Sequence, residues 1–277
     1  MAEKVLTVAI LGVGSRGGDS YGLLVNKDSQ FDIVALCDKR QVRLDRYQRI
    51  FNVKEENCFL DEEEFFKEKR ADICFICTQD KDHVRQCIKA LELGYHCLLE
   101  KPVTDSKEEC IKLLEAQKKY GGEVVVCHVL RYAPAYVKCY ELIKEGKIGD
   151  LVDIHAIEQV TYWHQAHSYV RGNWRRSEET TPMILAKCCH DMDLLQWYAG
   201  SRAKTVSSIG SLTFFNKEHQ PKDASDRCQY CKLKDTCPYS AYRVYVERWK
   251  MLGSKEQMWP QNVICTDDVL TEEGIVK

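Results

Sequence analysis

The feature that most constrains this 277-residue chain is a glycine loop set between a strand pattern and a helix pattern. Val5 to Leu11 is a short apolar run. Gly12-Val13-Gly14-Ser15-Arg16-Gly17 follows at once, and a helix-compatible segment continues to about Asn26. A second apolar run, Phe31 to Cys37, ends at Asp38, 21 positions after Gly17. The spacing G-x-G-x-x-G has a physical logic here. Gly12 permits a tight turn, Gly14 lets the backbone approach a pyrophosphate, and Gly17 allows a helix to pack closely on a strand. Free N–H groups and partial positive charge in the helix's first turn, where Ser15 and Arg16 stand, favour phosphate. Asp38 is placed to accept hydrogen bonds from adenosine ribose hydroxyls and to repel a 2′-phosphate, so the cofactor expected is NAD. Lys39 and Arg40 leave NADP open. The plain alternative is a glycine-rich turn without a ligand.

The alternation of strand and helix patterns persists over the first half. Helical stretches (Val42 to Phe51, Asp82 to Leu93, Ser106 to Tyr120) separate apolar runs at Asp72 to Cys77, Tyr95 to Leu99 and Glu123 to Cys127. Continuous apolar runs indicate parallel strands covered on both faces, hence an α/β fold with a doubly wound Rossmann sheet over residues 1–127. After His128 the character becomes α+β. A helix from Pro134 to Glu145 precedes a strand-like segment (Leu151 to Tyr162) and a polar aromatic loop reaching Thr181. A helix near Lys187 to Tyr198, a strand near Val206 to Phe215 and a cysteine loop come next. Residues 128–277 read as a second domain for substrate and oligomerisation.

A formal net charge of −2 argues against nucleic acid or an anionic membrane as partner, because both demand basic surface. No secretory pattern and no apolar run of membrane-spanning length is visible, so the expected location is the cytoplasm. Fifteen cysteines are many for such a chain. Cys74, Cys77, Cys97 and Cys127 lie in strand-like runs and read as small buried hydrophobes.

Several further motifs, taken in order, resemble the glucose–fructose oxidoreductase / inositol dehydrogenase / rhizopine-catabolism (Gfo/Idh/MocA) family. They are Thr78-Gln79-Asp80-Lys81-Asp82-His83, Glu100-Lys101-Pro102, His128 to Pro134, Gly146-Lys147-Ile148-Gly149 and His190-Asp191-Met192-Asp193. The resemblance spans Val5 to Phe215. It implies a second domain with an open, mostly antiparallel sheet that makes homo-oligomers, and chemistry on a secondary alcohol of a sugar or cyclitol. It adds Thr78, His83, Glu100 and Lys101 to the cofactor-binding set of Gly12, Gly14, Ser15, Arg16, Gly17 and Asp38, and Arg131 to the substrate set. It also implies a longer chain, so that the second domain is expected to be incomplete here.

Read from the residues, Lys101 follows a strand at the sheet edge where ligands bind, and can stabilise charge developing on a reacting hydroxyl. A surface lysine is the plain alternative. His190 can accept the hydroxyl proton, or be a cap or core histidine. Inositol-dehydrogenase-like members carry an Asp four residues before this histidine; here the residue is Ala186. Lys187 is the neighbouring candidate for proton movement, with Asp191 or Asp193 able to supply a carboxylate.

The aromatic loop offers Tyr162, His164, His167, Arg171, Trp174 and Arg175 as substrate contacts: ring faces for C–H surfaces, polar tips for hydroxyls. A subunit interface would use similar residues. His164 and His167 have no clear third partner for a metal. Cys228-x2-Cys231-x5-Cys237 has the spacing of a structural zinc or iron–sulfur site lacking its fourth ligand, or of three reduced thiols. Together these readings predict an NAD(P)-dependent oxidoreductase acting on CH–OH groups. The alternatives are glycoside cleavage through transient oxidation, and an NAD-binding protein without turnover.

Overall fold

The computed structural model describes residues 4–254, 259–266 and 269–276. The chain forms two compact units, one made of Met1–Cys127 with Ala241–Lys277, the other of His128–Ser240. Residues 241–277, grouped with the second domain on sequence, thus belong with the first unit.

The first unit is built on a parallel six-stranded sheet. Its strands are β1 (Leu6–Leu11), β2 (Phe31–Cys37), β3 (Cys58–Phe59), β4 (Ile73–Ile76), β5 (His96–Leu99) and β6 (Val124–Val126), in the order β3-β2-β1-β4-β5-β6. The order reverses between β1 and β4, which leaves a crevice beyond their carboxyl ends. Asp72 pins the start of this pair, accepting from the Thr7 N–H and from the Thr7 hydroxyl, both at 3.0 Å. β3 is only two residues long, has no pattern to announce it and is followed by the short α3 (Glu62–Phe65); it exists because Leu36 and Cys37 offer a ladder.

Period-two alternation divides the core between the faces of the sheet. Ala9 and Leu11 of β1 pack with Val84, Cys87 and Leu91 of α4 (His83–Glu92) and Leu113 of α5 (Lys107–Tyr120). Val8 and Ile10 face the other way, against Leu44, Tyr47 and Phe51 of α2 (Gln41–Phe51). Each fully buried side chain of this kind contributes about 1.5–3 kcal/mol of burial. Helix α5 begins where the Ser106 hydroxyl accepts from the Glu109 N–H at 3.2 Å, and ends at Gly121, φ 77°. Cys74, Cys97 and Cys127 are buried as expected, and Cys77 half-buried. The returning part of this unit holds α10 (Tyr242–Glu247 running into Arg248–Met251), α11 (Gln261–Ile264) and α12 (Glu272–Val276).

The second unit contains α6 (Pro134–Lys144), α7 (Tyr162–Gln165, continuing through Ala166–Arg171), α8 (Met183–Ala186) and α9 (Cys189–Ala199). Two expectations are corrected. The aromatic stretch is helical, not a loop, over 162–171. The segments Leu151 to Tyr162 and Val206 to Phe215, read as strands, form no strand, and no antiparallel sheet occurs among the described residues. An apolar pattern can extend a backbone, but a strand exists only where a neighbour takes its hydrogen bonds. Val152 and Ile209 accordingly stand 93% and 99% exposed.

Candidate functional site

In the first unit, β1 hands the chain to Gly12 at φ +88°, a conformation that favours glycine. Here a Cβ would meet the Cys77 carbonyl at 2.6 Å, while on Gly17 it would lie 2.1 Å from the Gly12 carbonyl oxygen. The glycine spacing is therefore required by the crossing of α1 (Ser15–Gly22 in wide, π-type turns, then Leu23–Val25) over the end of β1. This leaves Gly14 and Ser15 at the mouth of the crevice, beside a half-exposed Arg16.

Asp38 sits at the tip of β2, 8% exposed. The Arg40 N–H donates to its Oδ1 at 3.0 Å, and Arg43 Nη1 lies 3.5 Å from its Oδ2. Sequence reading missed Arg43, although its place one turn into α2 was a usable signal. On the other side of the switch point, Glu100 follows β5 directly and is almost fully buried. It accepts from the Tyr21 hydroxyl at 2.6 Å and from the Lys101 N–H at 3.0 Å, with Arg16 Nε 3.8 Å away. Burial and the Glu100 charge push the Tyr21 phenol well up, so that it stays a donor to this carboxylate. Lys101 follows, half-buried, through a cis bond to Pro102.

The T-x-x-x-x-H segment is organised from within. The His83 ring is 1% exposed, its Nδ1 2.8 Å from the Pro102 carbonyl and its Nε2 3.2 Å from the Thr78 carbonyl. It ties the turn after β4 to the turn after β5, on one side of the crevice, and spends both ring nitrogens on backbone carbonyls. The Thr78 hydroxyl is spent on Gln86 at 2.5 Å.

In the second unit, α9 carries His190 and Asp193. The His128 and His190 rings meet edge to face at 5.7 Å, and His128 Nδ1 is 3.9 Å from Asp193. Arg131, expected to face substrate, instead makes a bidentate pair with Asp193 at 2.6 and 2.8 Å and lies over the Trp197 ring. Ala186 is buried at the end of α8. Next to it, Lys187 reaches Glu158 at 3.4 Å, and burial together with the Glu158 charge raises Asp191. Glu158 was missed because its segment read as an ordinary strand.

The aromatic stretch is divided by burial. His167 is 4% exposed, and burial, with His164 and Arg171 nearby, pushes its imidazole down to about 4. Arg171 donates to the Tyr239 carbonyl at 2.6 Å and Arg175 to the Gly172 carbonyl at 3.2 Å. Tyr162 is exposed and packs edge-on to Tyr239; His164 stacks on Trp163, and Trp174 lies near Tyr169. Among the described residues, no three His, Cys, Asp or Glu side chains converge on a metal position, so Cys228, Cys231 and Cys237 form no such cluster. The regular cysteine spacing along the chain is not matched by convergence in space; Cys228 faces Arg171, 3.9 Å from its Nη1.

Two family models match this chain. An oxidoreductase family's NAD-binding Rossmann fold covers residues 6–128, and the same family's C-terminal alpha/beta domain covers 140–239. The chain belongs to the Gfo/Idh/MocA family. Among curated relatives, YteT of Bacillus subtilis is 25% identical over 261 residues, covering 90% of this chain and 58% of its own. Inositol 2-dehydrogenase of Salmonella typhimurium is 27% identical over 206 residues, 73% of this chain and 56% of its own. The chain spans a little over half the length of these relatives. In fold it is similar to scyllo-inositol dehydrogenase from Lactobacillus casei, solved with NAD(H) and scyllo-inositol, at a TM-score of 0.60 and 22% identity, covering 71% of this chain and 57% of that one. For a Gfo/Idh/MocA member, the glycine loop, Asp38 and the Glu100-Lys101-Pro102 turn lie where an open parallel sheet places its ligands. No helix of the described residues is long and apolar enough to cross a membrane.

Proposed function

We propose that this chain serves an NAD-dependent dehydrogenase acting on a secondary alcohol of a sugar or cyclitol. The observation that carries the reading is the switch-point crevice, with a bare glycine turn on one side and Lys101, braced by Glu100, on the other. The residues fit a dinucleotide. Gly12 makes the tight turn, Gly14 keeps a phosphate approach clear, the first turn of α1 supplies N–H groups, and Asp38 offers a carboxylate for ribose hydroxyls, which favours NAD over NADP. Bound NAD supplies a hydride acceptor. Lys101 donates a hydrogen bond to the substrate oxygen and stabilises its growing negative charge. Within the second unit, His190 and Lys187, the latter held by Glu158, are the groups chemically able to take up a proton. Tyr162, His164 and Trp174 provide ring faces for polyol carbon surfaces.

The test is NADH formation over a panel of cyclitols and aldoses. Replacing Lys101→Met is expected to lower turnover by about 10²-fold or more with NAD binding kept. Near-normal turnover would remove Lys101 from the chemistry, and absence of turnover on every panel member would leave an NAD-binding protein.

We also propose that 151–161 and 205–213 pair as antiparallel strands when copies associate, since Val152, Ile157, Val206 and Ile209 are exposed along them. Light scattering should show self-association that Val152→Lys with Ile209→Lys abolishes. A monomer in both cases refutes this.

A further inference from the structure

A pocket beside the glycine loop has walls drawn from two distant parts of the sequence, both within the first unit. One wall is Gly14 and Ser15 with Arg40, Arg43 and Arg46. The other is Asn262, Val263, Cys265 and Leu270. Two hydrogen bonds stitch the walls together: Arg40 Nη2 donates to the Cys265 carbonyl at 3.2 Å, and Asn262 Nδ2 to Asp19 Oδ2 at 3.1 Å. The outer wall is anchored from behind. Gln261 is fully buried and donates to the Tyr245 carbonyl at 2.9 Å, and the Thr266 N–H donates to the Gly274 carbonyl at 3.0 Å.

The pocket's chemistry is specific in kind. Val42, Val263 and Leu270 give it apolar sides, and the guanidinium of Arg40 supplies a planar cation of the type that stacks on flat heteroaromatic rings. Among the described residues, the buried Arg46 Nε and Asn262 Oδ1 have no hydrogen-bond partner, leaving one donor and one acceptor at the pocket. Such groups cost free energy unless a ligand or water satisfies them. The pocket continues from Gly14 and Ser15, on the side of β2 and α2, where the adenosine half of a dinucleotide would extend.

We infer that Asn262, Val263, Cys265 and Leu270 are the outer wall of the adenosine end of the cofactor site, so that the returning segment contacts bound dinucleotide and slows its exchange. This rests on the reading that the glycine loop holds NAD. Retention of the cofactor then depends on residues some 220 positions away from Arg40, as the Arg40 to Cys265 bond (225 apart) illustrates.

Hydrogen exchange on the unmodified chain tests this. Saturating NAD should slow exchange in peptides covering 12–22 and also in 261–266. ADP-ribose should protect both, whereas nicotinamide mononucleotide should leave 261–266 unprotected. Protection confined to 12–22 overturns the wall while keeping the cofactor reading. No protection anywhere overturns both. A second measurement uses Asn262→Ala with Leu270→Ser, which should speed NAD dissociation about tenfold, the loss of one hydrogen bond and one apolar contact. A variant that stays folded and releases NAD at the unmodified rate also overturns the inference.

Discussion

His167 shows how one buried side chain sets a pH dependence. Its imidazole, held down to about 4 by burial, stays neutral in the folded chain where an ordinary histidine, near 6.5, takes a proton. Below pH 6.5 the unfolded chain therefore binds a proton that the native chain refuses, and stability falls as pH drops, until the native imidazole titrates near 4. The loss should be about 2 kcal/mol by pH 5 and about 3 kcal/mol in full. Urea midpoints at pH 7 and pH 5 measure it; His167→Gln should flatten the difference, and an equal drop in both proteins would place the dependence elsewhere. Sequence singled out His167 for its polar tip, whereas its position on α7 makes it a core residue. The glycines were read more securely because their requirement is local: a positive φ at Gly12 and a close crossing at Gly17 follow from chain geometry that the spacing itself encodes.

At the scale of elements, α9 is tied to the turn before α6 by Arg131 and Asp193. Both guanidinium contacts are short and parallel, and the Tyr140–Trp197 stack at 4.3 Å lies alongside, with Arg131 over the Trp197 ring. The pair is partly solvated, 38% and 18% exposed, which screens it. Asp193→Asn keeps the shape and one acceptor but removes the charge, and should cost about 1–2 kcal/mol in urea unfolding, shrinking in 1 M salt. No loss would mean that the aromatic stack alone holds α9. This pairing was not legible in the sequence, where Arg131 and Asp193 are 62 positions apart and each has an obvious functional alternative. The strands and helices between Leu6 and Tyr120 were mostly legible because each buries an apolar run against neighbours in the sheet, whereas α10 to α12, which return to this unit from the far end of the chain, were not. β3 was not, since its two residues depend wholly on β2.

Across the whole molecule, the two units differ in how much apolar surface they bury. The first has both faces of its sheet covered. Among described residues of the second, the buried apolar side chains are Ala166, Ala186 and Leu194, and its would-be strands lie open. Those segments form no strand within the single chain because a strand is a relation between two parts, and a sequence pattern records only one of them. Unequal cores predict unequal stabilities, so heating should show two transitions, with the second unit melting first. Trp163, Trp174 and Trp197 lie in that unit and Trp249 and Trp259 in the other, so indole fluorescence reports mainly the lower transition. NAD at about 100 times its dissociation constant stabilises whatever binds it by about 2.7 kcal/mol, roughly 5–10 °C for a unit of this size. Calorimetry should find the upper transition raised by NAD and the lower one unmoved. A lower transition that rises with NAD would mean that the second unit shares in holding the cofactor, and a single transition that moves as a whole would mean that the two cores unfold as one.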